Sequence, residues 1–299
     1  MQADALATRR RRQPGVRLFY QPTLWVLGVI SVLVTGYTVF LVLHRISLLQ
    51  PEGDRFVGLG NIITLLGDGR AWNATLNTFI YVVSASTIEI AAGTGIALYL
   101  NRDFSGRRIV RTLLLIPLIM TPVVSGLIWR IFYDPNSGIA NYLLSLVGFP
   151  DGLDWLGDPH MAMASLVLVD VWQWTPFVIV IVMAALESMA REPLEAAMID
   201  GASRWQATRY VILPMVRDAI LVAATLRLID SVKVFDIIYV MTRGGPALAT
   251  ETLNMYSYLT AFNSFSLGYA GTIALVLTVL VNVGLVIVYR LATGRMREV

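Results

Sequence analysis

Six apolar runs, each long enough or nearly long enough to cross a bilayer as a helix, leave this chain few ways to fold. Crossing about 30 Å of hydrocarbon takes roughly 20 helical residues. The runs are Leu24–Leu43, Asn77–Leu100, Thr112–Trp129, Met161–Leu186, Ala219–Met241 and Tyr269–Tyr289. The first and last carry no charge, the second only Glu89 and the fourth only Asp170. The third is the shortest and contains Pro117 and Pro122, and the fifth carries Arg227, Asp230, Lys233 and Asp236. Charged residues are 14% of the chain and hydrophobic ones 56%, whereas a soluble domain carries about a quarter charged residues. Such a chain cannot cover itself as a water-soluble globule. The expectation is an all-α membrane protein with six transmembrane helices in one domain.

The arginines orient it. With six spans, the N-terminal segment 1–23, the loops after spans 2 and 4, and the end of the chain from Arg290 through the tail 292–299 share one side, and sixteen arginines lie there against five on the other. That bias places both termini in the cytoplasm and leaves 24–291 as the transmembrane domain. The loop after span 3 agrees, with Asp134, Asp151, Asp154 and Asp158 and no basic residue between Tyr133 and His160. Arg9–Arg12 read as the topology signal rather than a nucleic-acid site. Span 1 exceeds the apolar core of a signal peptide and no small-x-small site follows it, so it reads as an uncleaved anchor.

Several chemistries are excluded early. Without cysteine there are no disulfides, thiolate metal sites or thiol nucleophile. Lys233 is the sole lysine and sits between Val232 and Val234, so no phosphate-binding G-x-x-x-x-G-K-[ST] loop exists in the chain. Nucleotide-driven work would need a partner's loop. His44 and His160 show no metal spacing, and no catalytic constellation or cofactor site is expected.

The loop from Glu187 to Pro214 is the most informative stretch. Pro193 stands where a helix begins and Gly201 just past where it would end, which predicts a rod of about eight residues. Leu194, Ala197 and Met198 share one face, away from Glu192, Glu195 and Asp200. Ser203 can cap a second short helix, and Pro214 opens the fifth span. A helix–glycine–helix elbow on the cytoplasmic side is shaped to dock into another protein, although composition alone would favour an interfacial amphipathic helix. Residue order decides. Glu195-Ala196-Ala197, three residues, Gly201, nine residues, then Val211-x-Leu213-Pro214 resembles the EAA loop of ABC-importer permeases, with Val211 where isoleucine is usual.

Further segments look like carbohydrate-uptake permeases of the MalF/polyol-permease type, within the binding-protein-dependent transport system inner membrane component family. They are Val171–Phe177, Asp230–Asp236, Thr242–Pro246 with Ala249–Thr252, Asn101–Gly106 and Trp155–Asp158. The resemblance implies an ABC type I importer permease fold in a bacterial inner membrane, half of a translocation path completed by a second, different permease subunit. It also implies two ATP-binding cassette subunits that hold ATP and magnesium, an extracytoplasmic solute-binding protein and a sugar or polyol substrate. Glu195, Ala196, Ala197, Gly201, Leu213 and Pro214 would couple to the ATPase.

Ionisable groups inside a bilayer usually face the bundle or an aqueous cavity. Arg227–Asp230 and Lys233–Asp236 stand at i,i+3 and can pair. Candidates for the substrate path are Asp170, Trp172, Gln173, Trp174, Lys233 and Asp236, since a sugar offers hydroxyls to polar groups and C–H faces to aromatic rings. Trp172 and Trp174 point to opposite sides of a helix, so both cannot touch one ligand. Glu89 reads as a bundle contact ahead of a proton relay. The competing classes are a proton-coupled transporter using Glu89, Asp170 or Asp230, and a membrane-embedded transferase using Asp170 or Asp236. Neither explains the cytoplasmic elbow.

Overall fold

The computed structural model of the chain describes residues 14–49, 53–148 and 152–294. It is helical apart from one two-residue antiparallel ladder. The order is α1 (Pro14–Leu43), β1 (His44–Arg45), β2 (Arg55–Phe56), α2 (Gly60–Leu66), α3 (Gly69–Leu100), α4 (Arg107–Ile119), α5 (Pro122–Phe132), α6 (Ile139–Leu146) and α7 (Pro159–Ser188). There follow α8 (Glu192–Ile199), α9 (Arg204–Ala207), a π-helical turn at Thr208–Ile212, α10 (Leu213–Met215), α11 (Arg217–Val232), α12 (Asp236–Met241), α13 (Leu253–Phe262) and α14 (Leu267–Gly294).

Local chemistry sets the starts of the long helices. Asp68 caps α3 by accepting the Arg70 N–H at 2.8 Å, and Asp158 caps α7 by accepting the His160 N–H at 2.8 Å, with Pro159 at the first helical position. α3 and α7 form the centre of the bundle. They approach closely at Gly93, where an added Cβ would lie 2.6 Å from Cβ of Val178; small residues allow such backbone contact between membrane helices. α14 packs against α1 and α13. Apart from that contact α1 is peripheral, with 6% of its apolar window buried. α1 begins at Pro14, inside the segment assigned to the cytoplasm; Arg9–Arg12 and the last residues of the tail lie outside the described residues.

Six uninterrupted spans are not what forms. Four helices among the described residues are long and apolar enough to cross a bilayer: α1 from Tyr20, α3, α7, and α14 as far as Val286. The expected third span is broken instead into α4 and α5, bent by 101°. Pro122 disfavours helical geometry in the residue before it, and Thr121 is extended at φ −71°, ψ 144°. The expected fifth span is also broken. α11 ends at Val232, Lys233 caps it, and the chain re-enters a helix at Asp236. No proline or glycine marks this second break. It is stabilised from outside the segment: Asn254 Nδ2 donates to the Lys233 carbonyl at 2.7 Å. At the first break, Gln173 Nε2 donates to the Met120 carbonyl at 3.0 Å. Non-helical backbone at membrane depth is tolerated where it is buried in protein or lines a cavity, and both interruptions meet that condition.

Candidate functional site

The two breaks face the same cavity. It encloses about 310 Å³ and is lined by Pro122 from the first break, Lys233, Val234, Phe235 and Asp236 from the second, and Asp170, Trp174 and Asp230 from the flanking helices. Of the six sequence-derived candidates for the substrate path, the fold brings Asp170, Trp174, Lys233 and Asp236 to this cavity. Trp172 and Gln173 point elsewhere. Trp172 packs edge-on against Trp129, with centroids 5.5 Å apart. Gln173 is buried and spends its amide on the Met120 carbonyl, while its Oε1 is buried without a partner.

The second element is a buried ion cluster. Arg227 Nε donates to Glu89 Oε2 at 2.5 Å and Nη2 to Glu89 Oε1 at 2.9 Å. Nη2 also reaches Asp170 Oδ2 at 2.9 Å, and Nη1 reaches Asp230 Oδ2 at 3.1 Å. The Arg227 guanidinium lies over the Trp174 ring, 4.8 Å from its centroid. Side-chain exposure is 2% for Arg227, 0% for Glu89 and 3% for Asp170, but 49% for Asp230. One cation on α11 therefore ties that helix to α3 through Glu89 and to α7 through Asp170, while its partner on the same helix, Asp230, stands on the cavity wall. The expected Arg227–Asp230 pair is present. The expected Lys233–Asp236 pair is not: the helix that would stack them one turn apart stops between them, and among the described residues neither makes an ion pair. Both are exposed. The convergence on Arg227 was not read from the sequence. A signal for it exists, because Glu89 and Asp170 are unmatched in their own helices and the apolar runs hold only two cations to answer them.

The elbow has the expected build. α8 covers eight residues with a proline in its first positions. Gly201 sits at φ +83°, the left-handed region that glycine adopts without strain. The helix closes by Gly201 N–H to Met198 O at 3.2 Å and Ala202 N–H to Ala197 O at 2.9 Å, the paired bonds of a glycine-terminated C-cap. Ser203 and Gln206 then form a reciprocal capping box on α9. Glu195 and Ala196 are exposed, Leu194, Ala197 and Leu213 half-buried. Met198 does not fold under with Leu194 and Ala197. It is 54% exposed beside Ile199 at 86%, and Trp205 and Tyr210 are exposed nearby. Pro214 lies within α10, and the next long helix opens at Arg217 rather than at the proline.

The family model described as binding-protein-dependent transport system inner membrane component matches residues 89–298. The chain belongs to that family. Among curated relatives, a probable ABC transporter permease of Sinorhizobium fredii, y4oQ, is 38% identical over 97% of this chain and 95% of its own length. The trehalose/maltose transport system permease MalF of Thermococcus litoralis is 36% identical over 94% of each chain. The sulfoquinovosyl glycerol transport system permease SmoG of Agrobacterium fabrum is 31% identical over 87% of this chain and 84% of its own. The solved structure of a bacterial alginate ABC transporter in complex with an alginate pentasaccharide-bound periplasmic protein shares the fold, with a TM-score of 0.75 at 21% identity over 91% of this chain and 93% of that one. The protein is a multi-pass ABC-transporter permease of the sugar-transport type.

At the end of this permease away from the elbow, a polar network pins the loop after α12 to the start of α3. Arg70 donates through Nε and Nη2 to the buried Glu251 carboxylate at 2.8 and 2.7 Å. Asn77 Nδ2 donates to the carbonyls of Leu248 at 2.9 Å and Glu251 at 3.1 Å. Thr242–Pro246 forms the expected turn, with Arg243 and Gly244 at φ 53° and 86°. Asp68 accepts the hydroxyls of Tyr256 at 2.6 Å and Tyr269 at 2.5 Å. Burial pushes the Asp68 carboxyl up, but those two hydroxyls and the Arg70 and Ala71 N–H groups outweigh it and hold it below its ordinary value. A depressed carboxyl contributes stability that is complete above its unfolded value, near 4, and is lost as pH falls through the folded one. Acidification below about pH 4 should therefore loosen α13 and α14 from α3. The check is the thermal midpoint of detergent-solubilised permease between pH 6 and 3. Wild type should fall more steeply than Asp68→Asn, and parallel curves would remove this role from Asp68.

Proposed function

We propose that this permease forms half of the translocation path of an ATP-driven importer that receives a sugar or polyol from an extracytoplasmic solute-binding protein. In this reading it sits in a bacterial inner membrane with both termini cytoplasmic, and its broken segments 107–132 and 217–241 complete six passages. A second permease of different sequence supplies the facing half, and two ATP-binding cassette subunits hold ATP and magnesium. The observation that carries the proposal is the exposed elbow: a short rod bearing Glu195, hinged at Gly201, whose apolar residues Met198 and Ile199 are exposed among the described residues. ATP-driven closure of the cassette subunits would move this rod, and α7 and α11 would carry the motion to the helix breaks.

The cavity supports the substrate class. Lys233 donates, Asp230 and Asp236 accept, and Trp174 and Phe235 offer ring faces, which together suit hydroxyls and C–H surfaces. The names of the trehalose/maltose and sulfoquinovosyl glycerol relatives point the same way. The proton-coupled alternative is weaker because Glu89, Asp170 and Asp230 all answer to Arg227. The test is uptake of labelled sugar by proteoliposomes holding the complete complex. Uptake should require ATP on the elbow side and persist with a protonophore. Uptake without ATP that a protonophore abolishes would overturn the proposal.

A further inference from the structure

Helices α4 and α7 enclose a second groove, of about 280 Å³, that shares no residue with the cavity. Leu114, Leu115, Val180, Met183 and Ala184 give it an aliphatic bore, and Arg111 and Glu187 stand at its polar end. Arg111 Nη2 pairs with Glu187 Oε1 at 2.9 Å, and Arg107 reaches Asp103 at 3.1 Å and Glu187 at 3.8 Å. These bonds leave the guanidinium nitrogens incompletely used. The Nε of Arg107 and the Nε of Arg111 are both buried without a hydrogen-bond partner, which is uncommon for buried donors. Arg108, one turn before Arg111 on α4, and Arg102, just ahead of that helix, are exposed. Counted along residues 102–111 together with Glu187, four cations stand against two carboxylates, next to the polar end of an aliphatic groove.

An aliphatic bore ending in excess positive charge is complementary to a molecule with an acyl chain and an anionic head. We propose that the α4–α7 groove binds one anionic phospholipid, with an acyl chain along Leu114, Val180 and Met183 and the phosphate against Arg107, Arg108 and Arg111. A zwitterionic lipid would bring its own cation to an already cationic mouth. A free phosphate would leave the bore uncovered. The site rests on the topology reading above, which puts this end of α4 at the inner leaflet. Glu187 lies in the last turn of α7, just ahead of α8, so a phosphate that competes for Arg107 and Arg111 bears on the helix that feeds the elbow.

The test is native mass spectrometry of the purified complete complex, taken from mixed micelles of phosphatidylglycerol and phosphatidylcholine. One phosphatidylglycerol per copy of this permease should survive detergent that strips phosphatidylcholine, and millimolar inorganic phosphate should not displace it. Arg108→Gln, an exposed change, should weaken retention about fivefold, the worth of one arginine near an anionic headgroup. Ala184→Trp, which fills the bore without altering charge, should abolish retention. The thermal midpoint in phosphatidylcholine alone reports whether each variant is folded. Equal retention of both lipids, displacement by phosphate, or wild-type retention in folded Arg108→Gln or Ala184→Trp would overturn the proposal. ATPase activity of the same complexes separates the two readings: an active complex that keeps no phosphatidylglycerol rejects the lipid site alone. Lipid retention without any assembled ATPase rejects the importer reading alone.

Discussion

Replacing Arg227 with methionine should destabilise this permease by about 3–5 kcal/mol, the expected cost of removing one partner from a buried ionic network. The side chain is nearly as long and as apolar along its stem, so packing changes little. What changes is charge. Glu89 has no exposed surface and Asp170 almost none, and without the guanidinium each carboxyl is left buried without its counter-charge. The contacts joining α3, α7 and α11 would weaken together. Equilibrium unfolding in mixed micelles of increasing SDS content measures the loss. The triple variant Arg227→Met, Glu89→Gln, Asp170→Asn should recover most of it, because a neutral set of similar volume no longer demands a counter-charge. Should Arg227→Met alone stay within about 1 kcal/mol of wild type, the cluster is not what holds these helices in register.

The second large effect concerns transport rather than stability. Glu195→Arg should cut ATP-dependent uptake by the assembled complex about tenfold or more, equivalent to about 1.4 kcal/mol or more at a contact with the motor. Glu195 is exposed in the first turn of α8, where reversal forfeits only a few tenths to about 1 kcal/mol of favourable helix-dipole interaction. The fold should therefore survive. Gly201→Val acts differently. Nothing lies within 4 Å of a Cβ built at Gly201, so the cost is conformational: φ +83° becomes strained, and the rod is re-aimed. Both variants should leave sugar binding by the solute-binding protein intact while reducing stimulated ATPase activity, assembly, or both. Normal uptake in both would count decisively against the elbow as the coupling element.

What could be read in advance follows how local the determinants are. α1, α3, α7 and α14 are continuous apolar runs, and the caps at Asp68 and Asp158 are written beside them. The elbow was legible for the same reason: Pro193, Gly201 and Ser203 each act within one turn of where they stand. The breaks divide differently. Pro122 was visible, but a proline in an apolar run can bend a helix or end it, and the outcome depended on the Gln173 amide reaching Met120 from another helix. The interruption at Lys233–Phe235 carries no breaker residue and relies on Asn254 in α13. The ion cluster is least local, since Glu89 and Arg227 are 138 residues apart in the chain. Gln173 shows the limit most plainly: a polar residue between two tryptophans suited a sugar, and it serves a backbone carbonyl instead.

The break after α11 has one consequence for chemistry on the intact transporter. Lys233, the sole lysine of the chain, is exposed there on the cavity wall. No other side chain of this subunit carries a primary amine. An acylating reagent that modifies the subunit at a lysine can therefore do so at one address, and its rate becomes a clock for how often solvent enters the vestibule through the transport cycle.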